Sequence, residues 1–331
     1  MRFKPSEALR FLGGLTAAVV VLVLIALRVT SCAPVRPHPP PPVQAPPVPA
    51  PPIQAPAVQP PAATPSAIPA ARGAYPAAAL TACYLGPAAA AQANAASLRT
   101  LSFSPFGRTE TGWETYAPLI AREIHTACPP NTPAFAGALA AWQRAQRLAA
   151  DGTMNVAVFD QMTTAFQMRR PFVGLSAQRI CPAAPDAAKL AKALPTDSYG
   201  GKTIQLRARA LAAWRQMAAA ARADPAIAAD PRNLTIFSGF RAPDEDAARC
   251  TRERNCNGLV RAACSAHRTG LALDLYVGQA PGFGPDSSAD PNRLYMSKTP
   301  AYRWLVANAD RFGFVPYPFE PWHWEWTGEA P

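Results

Sequence analysis

Two short motifs near the C-terminus contain the residues of this chain that are best suited to metal-assisted hydrolysis. The first runs from Ser265 to Asp274 and places His267 seven residues before Asp274. The second is Glu320-Pro321-Trp322-His323. Two histidines and an aspartate form a three-ligand set that leaves zinc one open position, which is typical of a catalytic rather than a structural site. The glutamate of the second motif would then supply the general base.

The spacing of apolar residues predicts the elements that carry these motifs. Between Gly270 and Val277 the leucines alternate with other residues, which predicts a strand with Asp274 on the face opposite the leucines. The small residues Gly270 and Ala272 allow an ion and a substrate to approach the backbone there. Helices are predicted in this region at residues 203–222 and 299–310, and further strands at residues 233–237 and 312–315.

The preceding region is predicted to be helical. An alanine-rich stretch at residues 78–98 is only weakly patterned, whereas apolar stripes predict helices at residues 115–126, 135–149 and 156–167. Asp151-Gly152 predicts a turn between the last two helices. The other two histidines of the chain, His38 and His125, have no carboxylate at a defined spacing, so neither is expected to bind a metal ion.

The N-terminal region predicts export. Three basic residues precede an uncharged apolar run from Phe11 to Leu27, which predicts a membrane helix with its N-terminus in the cytoplasm. A cleaved signal peptide and lipidation at Cys32 are the alternatives, and all three export the rest of the chain. Prolines crowd residues 34–65, which predicts a semi-rigid polyproline stalk on the order of 100 Å long. The predicted divisions are 1–33, 34–74, 75–175 and 176–331.

Cysteine content and net charge agree with an exported protein. Setting Cys32 aside leaves six cysteines, enough for three disulfides in an oxidising compartment, and their pairing is open. Cys250, Cys256 and Cys264 are spaced too widely for typical zinc ligand pairs, which favours disulfides. Because these cysteines are three in number, one of them needs a partner elsewhere in the chain, and we predict that this partner is Cys181. The net charge of +11 suits an anionic polymer. No basic run with interleaved aromatics predicts nucleic acid binding, so the bacterial cell wall is favoured.

The motif S-x-H-x-x-G-x-A-x-D at Ser265–Asp274, the E-P-W-H at Glu320–His323 and the S-G-F-R at Ser238–Arg241 resemble those of the VanY-type zinc D-alanyl-D-alanine carboxypeptidases. The resemblance covers the chain from about Cys181 to the C-terminus. It implies an α+β peptidase domain, with a small antiparallel sheet flanked by helices, that acts on peptidoglycan stem peptides. A small all-α domain, the proline-rich linker and the membrane helix would precede this domain.

The resemblance also implies a role for each matching residue. Zn²⁺ would be held by His267, Asp274 and His323. Glu320 would be the catalytic base, and Arg241 would stabilise developing negative charge. Arg241, Ser265 and Trp322 would contact the substrate. Pro321 stands where related dipeptidases tend to carry tryptophan, which favours a carboxypeptidase, and Glu325 departs from the arginine that many members have there.

A second resemblance concerns the helical region. Trp142-Gln143, Leu148, Asp151-Gly152 and Phe166-Gln167 resemble a small three-helix peptidoglycan-binding domain, without the glycine usual after its Asp-Gly turn. Two other enzymatic activities are compatible with the same C-terminal scaffold, namely a peptidoglycan endopeptidase and an L,D-carboxypeptidase. A non-catalytic wall-binding protein is the alternative from a different class.

Overall fold

The computed structural model describes residues 82–254, 256 and 262–331, all within one folded unit. The predicted membrane helix, Cys32 and the proline-rich linker lie outside the described residues. Among the residues that are described, no helix combines the length and apolar character needed to cross a membrane. Below, residues 82–175 are called the helical segment and residues 176–331 the C-terminal segment.

The helical segment contains five helices and one short hairpin. A 3-10 turn at Ala82–Tyr84 precedes these elements. In chain order they are α1 (Ala88–Ser97), β1 (Ser102–Phe103), β2 (Glu110–Thr111), α2 (Ala117–Glu123), α3 (Pro133–Ala145), α4 (Val156–Met168) and α5 (Pro171–Ala177), which ends just inside the next segment. The three predicted helices at residues 115–126, 135–149 and 156–167 are confirmed with shifted ends. The first of them begins as a 3-10 turn at Glu114–Tyr116.

The predicted Asp151-Gly152 turn is confirmed, and polar side chains hold it in place. Gly152 has a φ of 74°, and a Cβ there would lie 2.6 Å from the carbonyl oxygen of Ala136, so glycine is required. Gln143 Oε1 accepts a hydrogen bond from the Gly152 N–H at 2.8 Å. Asn94 Nδ2 donates to the Gly152 carbonyl at 2.9 Å, which ties α1 to the turn. Gln143 therefore has a structural role in this segment.

The C-terminal segment combines helices with two antiparallel sheets, which confirms the predicted α+β class. Its elements are β3 (Leu190–Lys192), β4 (Gln205–Arg207), α6 (Ala208–Ala221), α7 (Pro225–Ala228), β5 (Ile236–Ser238), α8 (Pro243–Arg252), β6 (Ala272–Leu275), α9 (Asp290–Met296), α10 (Pro300–Asn308), β7 (Phe314–Pro316) and β8 (His323–Trp326). Strands β3 and β4 form one hairpin. The other sheet has the order β5-β6-β8-β7, with every neighbouring pair antiparallel.

The helix predicted at residues 203–222 is wrong at its start. Residues 205–207 form strand β4, which pairs with β3, and the helix begins at Ala208. The carbonyl of Gln205 also accepts a hydrogen bond from the Phe240 N–H at 2.7 Å. These contacts with distant residues override the local helical pattern. Within α6, Leu211, Trp214 and Met217 form a buried apolar stripe.

The strand predicted at residues 233–237 is shorter and later than expected. Leu234 has a φ of 63°, a left-handed conformation that a strand does not contain, and β5 begins at Ile236. The strand predicted at residues 312–315 is likewise displaced to 314–316, after a 3-10 turn at Ala309–Phe312. The predicted start of α10 is confirmed, because Thr299 Oγ1 accepts a hydrogen bond from the Tyr302 N–H at 3.2 Å.

The two segments share one hydrophobic core. Residues from both sides of the predicted boundary at 175 and 176 pack into it, including Phe159 of α4 and Leu273 of β6. A buried polar contact also joins the segments: Arg293 Nη1 lies 3.1 Å from Glu110 Oε2, and both side chains are almost fully buried. The helical segment is therefore packed as part of the same folded unit.

Three disulfides are present among the described cysteines. Cys83 pairs with Cys128 inside the helical segment, Cys181 pairs with Cys264, and Cys250 pairs with Cys256. The predicted participation of Cys181 is confirmed. Cys264 directly precedes Ser265, the first residue of the Ser265–Asp274 motif. The disulfide therefore links the start of this motif covalently to Cys181, near the start of the C-terminal segment.

Candidate metal centre and its cleft

Strands β6 and β8 bring two of the predicted ligands together. Asp274 on β6 is the direct cross-strand partner of His323, the first residue of β8. His267 lies in the 3-10 turn Ala266–Thr269, which ends at Gly270 with a φ of 68° before the chain enters β6. One ligand atom from each of the three side chains lies within 4.8 Å of the others.

The three ligand atoms point toward one another. Asp274 Oδ2 lies 3.2 Å from His267 Nε2, and Asp274 Oδ1 lies 2.9 Å from His323 Nδ1. His267 Nδ1 lies 2.7 Å from the Gly239 carbonyl oxygen, to which it donates when Nε2 faces the centre as a ligand. All three side chains are buried, with at most 6% of each residue exposed. The cluster is therefore preorganised by backbone and neighbouring side chains.

The electrostatics favour an ionised Asp274 beside a neutral His267. Burial alone would raise the pKa of Asp274, but the adjacent histidines hold that pKa well below its ordinary value. Burial lowers the pKa of His267. Burial also acts to lower the pKa of His323, but the neighbouring carboxylates of Asp274 and Glu325 outweigh it and raise this pKa to about 9.

The donor set fits a zinc ion. Two imidazole nitrogens and one carboxylate oxygen are a common three-ligand set of catalytic zinc sites. The cluster opens onto a cleft of about 380 Å³, so a fourth position is accessible to water or substrate. Among the described residues it is the one group of His, Cys, Asp or Glu side chains whose ligand atoms converge in this way.

Glu320 lies beside this cluster in the loop between β7 and β8. Its Oε2 is 3.9 Å from His323 Nδ1, and its side chain lines the cleft. The loop is folded by backbone hydrogen bonds from the Glu320 N–H to Tyr317 and from the His323 N–H to Glu320. The structure thus places Glu320, the predicted base, next to the predicted metal ligands.

Arg241 and Ser265 also line the cleft, and a buried aspartate that the sequence analysis missed connects them. Arg241 Nη1 donates to Asp246 Oδ1 at 3.0 Å, and Ser265 Oγ donates to the same carboxylate at 2.9 Å. Asp246 is only 1% exposed. It is the last of three consecutive acidic residues at the start of α8, and its burial distinguishes it from Asp244 and Glu245.

Trp322 is the least accessible of the predicted substrate-binding residues. It is 2% exposed and belongs to the hydrophobic core, although part of it lines the cleft. Its carbonyl oxygen accepts a hydrogen bond from the Leu275 N–H at 2.9 Å. Its contact with substrate therefore remains a prediction.

One wall of the cleft comes from the end of the helical segment and from α5. Gln167, Arg170, Phe172 and Val173 line the cleft together with residues of the C-terminal motifs. Arg170 forms a buried ion pair with Glu325 of β8, with a shortest N–O distance of 2.6 Å. Glu325 departs from the residue that the resemblance leads us to expect, but no pattern in the sequence predicts its partner Arg170, which lies 155 residues earlier in the chain.

A His-Asp-His cluster with an open face and a neighbouring glutamate is a set of side chains that catalytic metal sites use. In a comparison with protein families, residues 203–329 match the family model VanY, D-alanyl-D-alanine carboxypeptidase. The matching region contains every site residue predicted from the sequence. The match confirms the resemblance to the VanY-type carboxypeptidases. No curated protein matches the chain.

Proposed function

We propose that this protein is a zinc-dependent peptidase that removes the terminal D-alanine from peptidoglycan stem peptides ending in D-Ala-D-Ala. The observation that carries the proposal is the convergence of His267, Asp274 and His323 beside Glu320, inside the region that matches the VanY family. These three side chains would hold the ion. When bound, zinc lowers the pKa of a water molecule toward neutrality and polarises the scissile carbonyl.

Glu320 is the residue positioned to move protons. Its carboxylate borders the ligand cluster and faces the cleft. It would accept a proton from the attacking water and return it to the amine of the departing D-alanine, acting first as general base and then as general acid.

Arg241 is positioned to offset the negative charge that develops on the carbonyl oxygen. Its guanidinium is held by Asp246 and by Ser238 Oγ, at 3.0 and 3.1 Å, and its side chain remains 15% exposed toward the cleft. A preorganised donor of this kind typically contributes about 10²–10³ in rate. Ser265, fixed by the same Asp246, would donate or accept a hydrogen bond at the neighbouring part of the substrate.

We further propose that the protein acts outside the cytoplasmic membrane. The three disulfides support this location, since such bonds persist in oxidising compartments. The apolar run at residues 11–27 would serve as the anchor, and the proline-rich linker would extend the folded unit toward the cell wall.

Product analysis tests this proposal. The full chain would be incubated with zinc and defined stem peptides, and the products would be identified by mass spectrometry, with chelated protein as the control. We expect free D-alanine from the pentapeptide and no reaction after chelation. Release of an internal peptide fragment would instead identify an endopeptidase. No cleavage by a protein that binds no zinc would favour a non-catalytic wall-binding role.

A further inference from the structure

We infer that Arg170 and Glu325 form a pair that positions the metal ligand His323, so that the helical segment completes the metal centre. This inference rests on the proposed zinc site. It adds a function for two residues that the family motifs do not contain, one of them outside the region that matches the family.

The first step is the contact between Glu325 and His323. These residues are two positions apart on β8, so their side chains project from the same face of the sheet. His323 Nε2 lies 3.4 Å from Glu325 Oε1, and both residues are at least 96% buried. Among the described residues no group forms a hydrogen bond with this nitrogen, and the 3.4 Å separation from Glu325 is a close polar contact.

The orientation of the imidazole ring makes this contact informative. Nδ1 of His323 faces Asp274 and the ligand cluster, so Nε2 carries the proton when Nδ1 binds a metal ion. Metal-binding histidines commonly donate their other N–H to a carboxylate, which fixes the tautomer and the ring orientation. Glu325 is the carboxylate on that side of the ring.

The second step is the fixation of Glu325 by the helical segment. Arg170 Nε donates to Oε1 at 2.7 Å, and the Phe172 backbone N–H donates to Oε2 at 3.2 Å. Both oxygens therefore have a donor, which holds the plane of the carboxylate. A buried carboxylate needs such partners because an isolated buried charge is costly.

Arg170 is itself held rigidly between α4 and α5. Its guanidinium stacks over the Tyr317 ring at 4.0 Å, and its Nη1 donates to Gln167 Oε1 at 2.6 Å. Tyr317 in turn packs edge-on against the His323 ring, with centroids 5.9 Å apart. The ligand is thus supported by a close polar contact with Glu325 and by packing against Tyr317, and Arg170 contacts both of these residues.

These contacts give the helical segment a role at the metal centre. A segment that served only to bind the wall could be altered without affecting metal affinity. Here the junction of α4 and α5 supplies the arginine and the backbone N–H that orient Glu325. Changes at this junction should therefore weaken zinc binding, although none of its residues is a ligand.

Zinc affinity of full-chain variants tests the inference. Arg170→Gln and Glu325→Gln would be compared with Arg169→Gln, which removes the adjacent arginine whose partner is Glu123 at the surface. Zinc dissociation constants would be measured by competition with a chromophoric chelator. We expect about 10- to 100-fold weaker binding for Arg170→Gln and Glu325→Gln and no change for Arg169→Gln. The double variant should lose about as much as either single variant, because the two residues act as a unit.

Visible spectra of the cobalt-substituted proteins provide a readout that general destabilisation would not move. We expect altered ligand-field bands in folded Arg170→Gln and Glu325→Gln protein and an unchanged spectrum in Arg169→Gln. If circular dichroism shows that either variant is unfolded, Arg170→Lys and Glu325→Asp replace them, with a smaller loss expected. Wild-type zinc affinity and spectra in folded variants of both residues would overturn the inference alone. Absence of zinc binding by the wild-type chain would overturn the proposed metal centre as well.

Discussion

Asp274 and His323 face each other directly across β6 and β8, with Asp274 Oδ1 2.9 Å from His323 Nδ1. The register of these two strands therefore fixes two of the three proposed metal ligands. A slip of one residue would turn one of the side chains to the opposite face of the sheet. The sheet is thus the element that assembles the site, and the turn at Ala266–Thr269 adds the third ligand.

Removing the proposed base should separate catalysis from metal binding. Glu320→Gln is expected to retain zinc and the fold but to lower kcat by about 10²–10⁴-fold, because an amide cannot accept the proton. The measurement is D-alanine release together with zinc content of the same preparation. Turnover equal to that of the wild type would exclude Glu320 as the base.

Metal removal should destabilise the wild-type protein. Zinc that binds only the folded chain adds about 2.7 kcal/mol to stability when its free concentration is 100 times Kd. We therefore expect chelation to lower the Tm and added zinc to restore it. Asp274→Asn should show little response to either treatment, because it lacks the carboxylate ligand. A Tm of the wild type that ignores both chelator and zinc would argue against a metal centre.

The buried Asp246 should affect the reaction without affecting zinc. Asp246→Asn weakens the support of Arg241 and Ser265, and misplacement of such groups can cost up to about 10²-fold in rate. We expect kcat/KM to fall while zinc affinity is retained. The exposed neighbour provides the matched control, since Asp244→Asn should leave both quantities unchanged. Equal losses in the two variants would show that Asp246 has no special role.

The contact between Glu114 and Lys298 should produce a pH-dependent contribution to stability. Burial opposes ionisation of Glu114, but Arg99 and Lys298, at 2.8 and 2.9 Å, lower its pKa below the ordinary value of 4.5. A carboxyl whose pKa is lower in the folded state stabilises the fold above pH 4.5, and this contribution is lost as the pH falls through the folded-state pKa. Glu114→Gln should therefore lower the Tm by about 1–3 °C at pH 7 and have less effect below pH 4.

An exposed ion pair provides the surface control for the Tm measurement on Glu114→Gln. Asp186 is 83% exposed at its side chain and lies 4.0 Å from Lys189, so Asp186→Asn should change the Tm less than Glu114→Gln at pH 7. If the Tm difference between wild type and Glu114→Gln grew as the pH fell, that trend would contradict a stabilising contribution from ionised Glu114.

The residues that the sequence predicted best are those whose signal is local. The alternation around Asp274 predicted a strand at residues 270–277, and a strand is confirmed over the shorter range Ala272–Leu275. This signal is local, because side chains of a strand alternate whatever its neighbours are. The His267, Asp274 and His323 cluster was predicted because each residue lies in a short motif. The start of α6 was not predicted correctly, because residues 205–207 pair with β3 and helical periodicity contains no signal for that pairing.

The supporting residues of the site were missed for the same physical reason. Asp246 follows two other acidic residues, and only the packing of α8 determines which of the three is buried. Arg170 meets Glu325 because the junction of α4 and α5 packs against β8. Such pairs depend on the complete fold and leave no pattern in a single sequence.

A zinc titration of the chelator-treated full chain, followed through D-alanine release from a stem pentapeptide, tests whether catalysis requires the ion. We expect D-alanine release to be negligible without zinc, to rise with added zinc and to saturate when each chain has bound one ion. Saturating zinc binding without release of D-alanine, or release that is independent of zinc, would contradict this expectation.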